Sequence, residues 1–317
     1  MIKIICLSKE TEDCFLLEIE IREDKVLRIL IDGGKNYKYI QEYFYKIIED
    51  SDKSFDYFID YIVVTHIDND HIKGILKMYK DDRIVNVIDN AKIIYNKIVD
   101  IGDVSFSQAE EFENLIKNKK IIVTYKRNFQ NSTDNQVLFF SKEKRFDKVF
   151  FKQFEKKKSE NVIITFLNPT IEMVKKVHLD YKMQKVNKSK KYAEDINKSS
   201  IVFLLEYHDK TLLFTGDCYL KDIELSDMVE LDLMKVPHHG AKDNNAGLYE
   251  FIHKYKCSKL LLTCGLTDKK HPDSTLINEI NKTNIDIELY VNNMNKNLVN
   301  MNKNIKCINF IDSIIEL

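Results

Sequence analysis

Apolar residues along this chain fall in short runs of β-branched and aromatic types, bounded by polar or glycine turns and separated by stretches with helical spacing. The runs at 2–6, 14–20 and 26–31 predict three opening strands, the last ending at Asp32, Gly33 and Gly34. A helix is predicted over 36–50, a strand over 60–65 within FDYFIDYIVVTH, and a helix over 72–80. Short strand-like pieces in the middle (IIVTY, VLFF, VFF) accompany a helical stretch at 107–118. VIITFLNP, SIVFLLEY, KTLLFTGD, LDLMKVPHHG and SKLLLTCG then read as buried strands. Strands on both sides of the middle suggest two similar halves. Of eight glycines, Gly33, Gly34, Gly74, Gly216, Gly240 and Gly265 sit at strand ends or just beyond, where tight turns or close backbone approach are needed.

Chemistry concentrates at the same strand ends. In VVTHIDNDHIKG (63–74), His66, Asp68, Asp70 and His71 occupy six positions. Alternate residues of an extended segment share a face, and a turn into the next helix would bring His71 round to join them. Two imidazoles and two carboxylates at that density repel or stay under-satisfied without a cation, so a metal centre is expected. A polar loop with an aspartate helix cap is the plainer alternative. Asp217 in TGDC, and His238 and His239 in KVPHHG, place further acid and imidazole groups at two later strand ends.

The chain has 317 residues, 44% of them apolar, enough for a single layered domain over 1–317. Six cysteines without CxxC spacing argue against a zinc ribbon or a disulfide framework and fit a reducing cytoplasm. The opening MIKIICLSKETEDCFLLEIEI has no secretory h-region, so it is expected to be a strand, and no membrane partner is expected. Net charge is −1, yet 142–191 carries 15 Lys/Arg against 6 Asp/Glu. That lysine-rich insertion either faces a polyanion or is simply solvated.

The ordered set THIDNDHIKG, TGD and KVPHHG resembles the metallo-β-lactamase fold hydrolases, in particular the branch containing the hydrolase domain of bacterial competence DNA-uptake proteins. The resemblance extends from EDCFLLEI and LIDGG to HPD at His271 to Asp273. It implies an α/β fold, a four-layer αββα sandwich with two metal ions along one edge of the sheets. His66 and Asp68 would hold the first ion and Asp70 and His71 the second, with Asp217 bridging both and His238 completing the second. Asp68 stands where most members have histidine, and Asn197, in DINKSSIVF, stands where another ligand is expected. Both exchanges replace nitrogen by oxygen, so manganese competes with zinc as the cofactor. Ala241 replaces the usual serine after HHG.

Such a site implies hydrolysis by a hydroxide that two divalent ions activate. Asp70 would orient as well as ligate, and His239 and His271 are candidates to protonate a leaving group or bind a phosphate oxygen. A phosphodiesterase or nuclease acting on DNA or RNA is favoured, with Lys182, Lys185, Lys188, Lys190 and Lys191 as phosphate contacts. The fold does not select the substrate. A small-molecule ester hydrolase, or a metal-bound sensor or partner subunit in a defence or DNA-handling system, stays open.

Overall fold

The computed structural model describes residues 1–23, 25–50, 57–96, 107–124, 136–140, 148–150, 161–177, 179, 193–310 and 314–317. Most of the lysine-rich stretch 142–191, including Lys182, Lys185, Lys188, Lys190 and Lys191, lies outside the described residues.

The opening strands are β1 (Ile2–Cys6), β2 (Phe15–Arg22) and β3 (Lys25–Ile31), an antiparallel meander. Helix α1 (Tyr37–Glu49) leads to β4 (Tyr61–Val63), which lies parallel to β3. Helices α2 (Asn69–Met78) and α3 (Val85–Ile88) lead to β5 (Lys92–Ile94), and α4 (Ser107–Ile116) to β6 (Ile121–Ile122), both strands extending the parallel part. A second sheet begins with β7 (Gln136–Phe140), β8 (Lys148–Phe150) and β9 (Val162–Asn168). After α5 (Ala193–Lys198), β10 (Val202–Tyr207) and β11 (Lys210–Phe214) form a hairpin. β12 (Leu233–Lys235) follows in parallel, then α6 (Leu248–Lys254), β13 (Lys259–Leu262), α7 (Ser274–Lys282), β14 (Ile287–Val291) and β15 (Ile305–Asn309). The last strand, β16 (Ile315–Glu316), returns to pair with β1.

The two-residue period of the strands sorts their side chains into layers. Phe15, Leu17, Ile29 and Ile31 of the first sheet meet Phe166, Phe203, Leu205 and Phe214 of the second, and Phe203 stacks on Phe214 at 5.1 Å. The alternate residues Leu16, Leu30, Ile62 and Ile93 pack beneath Ile40 and Phe44 of α1 and Ile72 and Ile75 of α2. Leu204, Leu213, Met234 and Leu260 likewise pack beneath Leu248 and Ile252 of α6 and Leu276 and Ile280 of α7. The chain is therefore a four-layer αββα sandwich. No helix among the described residues is long and apolar enough to cross a membrane.

Parallel strands deliver their C-terminal ends to one side of a sheet. β3 ends before Asp32, β4 before Thr65 and His66, β11 before Asp217, β12 before His238 and His239, and β13 before Thr263. Two expectations change. The helix predicted over 72–80 starts at Asn69, so Asp70 and His71 lie in its first turn rather than in the loop before it. β12 stops at Lys235, and Pro237–Gly240 form a tight turn in which His238 and His239 both take left-handed backbone, with φ 44° and 52°.

Candidate metal centre

Four imidazoles meet at this edge, each held at Nδ1 by a protein oxygen. His71 donates from Nδ1 to Asp32 Oδ2 over 2.8 Å. Thr65 Oγ1 donates to the same oxygen, Asp32 Oδ2, at 2.6 Å, so its lone pair accepts from His66 Nδ1 at 3.1 Å. Ser200 Oγ adds a second acceptor for His66, at 3.3 Å. Thr263 Oγ1 donates to Asp13 Oδ1 at 2.7 Å and accepts from His239 Nδ1 at 2.8 Å. Asn244 is fixed by donating to the Asp217 carbonyl, which turns its Oδ1 to His238 Nδ1 at 3.1 Å. With each Nδ1 carrying a proton, the Nε2 of each neutral ring presents a lone pair inward.

The Nε2 atoms of His66, His71 and His239 are buried and lack a hydrogen-bond partner, a costly state for three imidazoles unless another group meets them. Asp217 Oδ2 lies 3.8 Å from His66 Nε2, 3.3 Å from His71 Nε2 and 3.6 Å from His238 Nε2. Asp70 Oδ2 lies 3.5 Å from His239 Nε2, and Asp68 Oδ2 3.9 Å from His66 Nε2. Around a tetrahedral zinc with bonds of about 2.0–2.1 Å, donor atoms stand about 3.3–3.4 Å apart. The observed spacings start at that edge length and exceed it by a few tenths of an ångström, so the donor set fits metal ions. Of three groups with mutually close donor atoms among the described residues, His66–His71–Asp217 and Asp70–His71–His239 express the same convergence, and Asp13–Asp32–His71 lies behind them.

Asp68 is the N-cap residue of α2, yet its side chain makes no capping hydrogen bond. The plainer reading of Asp68 as a helix cap therefore does not describe it. The histidine pair departs from expectation more sharply. His239, rather than His238, brings its Nε2 to Asp70 beside His71, while His238 turns toward Asp217 on the His66 side. The left-handed turn rotates the pair so that both rings face the centre, whereas an extended strand would have pointed one away. Asn197 brings its side-chain amide nitrogen to the Nδ1 edge of His238, 3.2 Å away and opposite Nε2, while its own Oδ1 is buried without a hydrogen-bond partner. His271 stands at the rim, half-buried, its ring 5.8 Å from that of His238 and its Nδ1 3.2 Å from Asp268 Oδ2.

Electrostatics follow from burial and charge crowding. Burial, then His71, pushes His66 down to about 3, so it stays neutral. Burial, then Asp70, pushes Asp68 up to about 7. Burial opposes charge on His71, but Asp217 and Asp32 outweigh it and raise its pKa. Burial likewise opposes charge on Asp70, and the neighbouring imidazoles of His239 and His71 outweigh it, holding this carboxyl below the usual range. In the metal-free protein, a proton on His71 takes part of the role that a cation would have.

Sequence reading overlooked Asp13, Asp32, Thr65, Ser200, Lys235, Asn244 and Thr263. Two carried a signal. Asp32 follows a strand directly before two glycines, and Lys235 is a charge inside the apolar run LDLMKV.

No protein-family model matches the chain, and no curated protein matches it. Among solved structures it is similar to YhfI, a metallo-β-lactamase fold protein from Bacillus subtilis, at 11% identity and TM-score 0.40, covering 83% of this chain and 85% of that one. It is similar to a long form RNase Z from yeast at 14% identity and TM-score 0.41, covering 99% of this chain and 41% of that one. CmlA, a diiron β-hydroxylase from Streptomyces venezuelae, is similar at 10% identity and TM-score 0.40, covering 87% of this chain and 50% of that one. The chain thus spans half or less of the length of the last two.

Proposed function

We propose that this protein is a metal-dependent hydrolase that cleaves phosphodiesters in DNA or RNA. The observation that carries the reading is the convergence of inward Nε2 atoms on Asp68, Asp70 and Asp217, with each Nδ1 anchored. His66, Asp68, Asp217 and His238 would hold one ion; Asp70, His71, Asp217 and His239 the other. The assignment moves His239 from leaving-group chemistry to the second ion and gives His238 to the first. Carboxylates supply half of each set, which suits manganese as well as zinc.

Two divalent ions so held would supply a hydroxide nucleophile at neutral pH and positive charge opposite the developing oxyanion. His271 remains to protonate the leaving oxygen, with Asp268 orienting its ring through Nδ1. An anionic substrate is supported by the adjoining cleft, which Lys242, Lys269, Lys270 and His271 line. Its one carboxylate, Asp273, is engaged in capping α7 through Thr275. Three cationic side chains beside the centre favour a substrate with phosphates flanking the scissile one.

The test is turnover of bis-p-nitrophenyl phosphate and of a short single-stranded oligonucleotide by metal-free protein, before and after adding zinc or manganese. Metal-dependent cleavage of both is expected. Two bound ions with no cleavage of either would replace this reading with a sensor or partner subunit, and cleavage of carboxylic esters alone would replace it with a small-molecule esterase.

A further inference from the structure

Lys235 ends β12 with its side chain directed into the interior, 1% exposed. Its ammonium group contacts the Asp13 carboxylate at Oδ2, donates to the Gly216 carbonyl at 2.8 Å, and reaches Asp217 Oδ1 at 3.5 Å. All three protons are thereby directed at acceptors. A buried ion pair contributes little net stability against an apolar replacement, because desolvation offsets most of the attraction. Its consequence here is positional. With Oδ1 of Asp217 turned to Lys235, Oδ2 alone faces His66, His71 and His238.

Asp13 uses its other oxygen for a second ligand. Oδ1 accepts from Thr263, whose hydroxyl accepts from His239 Nδ1, and Oδ1 itself lies 3.6 Å from that nitrogen. One carboxylate, on the loop between β1 and β2, thus ties the end of β12 to the end of β13. The orientations of Asp217 and His239 both depend on it.

We infer that Asp13, Lys235 and Thr263 are positioning residues that commit Asp217 to bridging through a single oxygen and aim His239 at the second ion. The inference rests on the two-ion reading above. In this arrangement Asp13 acts on Asp217 through Lys235 and on His239 through Thr263. Loss of the ammonium would free the Asp217 carboxylate to rotate and give both oxygens to one ion, leaving the other poorly held.

The test measures manganese binding to metal-free protein by equilibrium dialysis, with electron paramagnetic resonance of the loaded samples. The parent should bind two ions and show the exchange-coupled signal of a bridged pair. Lys235→Met should keep the tighter ion, weaken the second by tenfold or more and lose the coupled signal. Thr263→Val leaves the ion pair untouched, so it guards against misfolding of Lys235→Met. It should also weaken one ion by about tenfold, the low end for loss of a group that orients a ligand, while Thr263→Ser restores binding. A parent that binds fewer than two ions defeats the two-ion reading itself. A two-ion parent whose folded Lys235→Met or Thr263→Val variant keeps parental affinities and signal overturns the present inference.

Discussion

His238 and His239 are adjacent in sequence, yet His238 turns its Nε2 to Asp217 and His239 to Asp70. Two consecutive non-glycine residues in left-handed backbone cost about 1–2 kcal/mol each, and this cost is offset by placing both rings on one cluster. His238→Ala and His239→Ala should each lower metal content from two ions toward one, measured by elemental analysis after dialysis, with rates reduced at least 100-fold. If His239→Ala keeps both ions, His239 returns to the leaving-group role first expected of it. Proton competition gives a second residue-scale prediction. A ligand binds metal only when deprotonated, and burial, then Asp70, pushes the Asp68 carboxyl up to about 7. His71, whose pKa is also raised, gives up its proton on binding as well. Apparent metal affinity should therefore rise as pH increases through 7, with protons released, which calorimetry in buffers of different ionisation enthalpy will detect. Affinity that is flat between pH 6 and 8 would exclude Asp68 from the centre.

The seat of α2 decides where Asp70 and His71 point. Gly33, after β3, and Gly74, inside α2, bring their backbones into direct contact: Gly33 donates to the His71 carbonyl at 2.6 Å, and Gly74 to the Gly34 carbonyl at 2.9 Å. A methyl group on Gly74 would overlap the Gly33 carbonyl oxygen. Gly74→Ala must therefore push α2 away from the sheet, and His71 with it. The expected loss is about 1–3 kcal/mol or more, as for an overpacked core, read as a lowered urea midpoint, together with weaker metal binding. Full metal affinity in a folded Gly74→Ala protein would show that the helix does not need this close approach to place His71.

The centre joins the two halves of the molecule. His66, Asp68, Asp70 and His71 come from the first sheet's edge, and Asp217, His238 and His239 from the second. An ion that binds only the folded state stabilises the sandwich by about 2.7 kcal/mol at one hundred times its dissociation constant. Stripping with a chelator should lower the melting temperature by roughly 5 °C or more, and manganese or zinc should restore it. Unchanged melting would show that the four imidazoles do not act as a metal centre. At the same scale, the cleft lysines act on charge rather than on chemistry. Changing Lys242, Lys269 and Lys270 together to Ala should raise KM for an oligonucleotide and flatten its salt dependence by up to about two units of slope, leaving bis-p-nitrophenyl phosphate turnover near normal. Equal effects on both substrates would place the lysines in folding or at the metals instead of along a strand.

Local sequence determined the strands, because a two-residue alternation of apolar side chains is a property of neighbours along the chain. It also marked the chemistry: acids and imidazoles crowded at strand ends need a counter-charge wherever those ends are brought together. The partition of ligands was a tertiary decision. Nothing in the residue types of KVPHHG announces a left-handed turn at two histidines, and that turn, rather than strand alternation, sets which ring meets Asp70. The place of Asn197 against the Nδ1 edge of His238 follows only from the packing of α5 against the turn. Asp13 and Thr263 are 250 positions apart and meet only because the loop after β1 and the end of β13 reach the same edge. Periodicity and composition carry no information about such distant pairings, which arise from the parallel register of the strands and from the need to satisfy every buried charge.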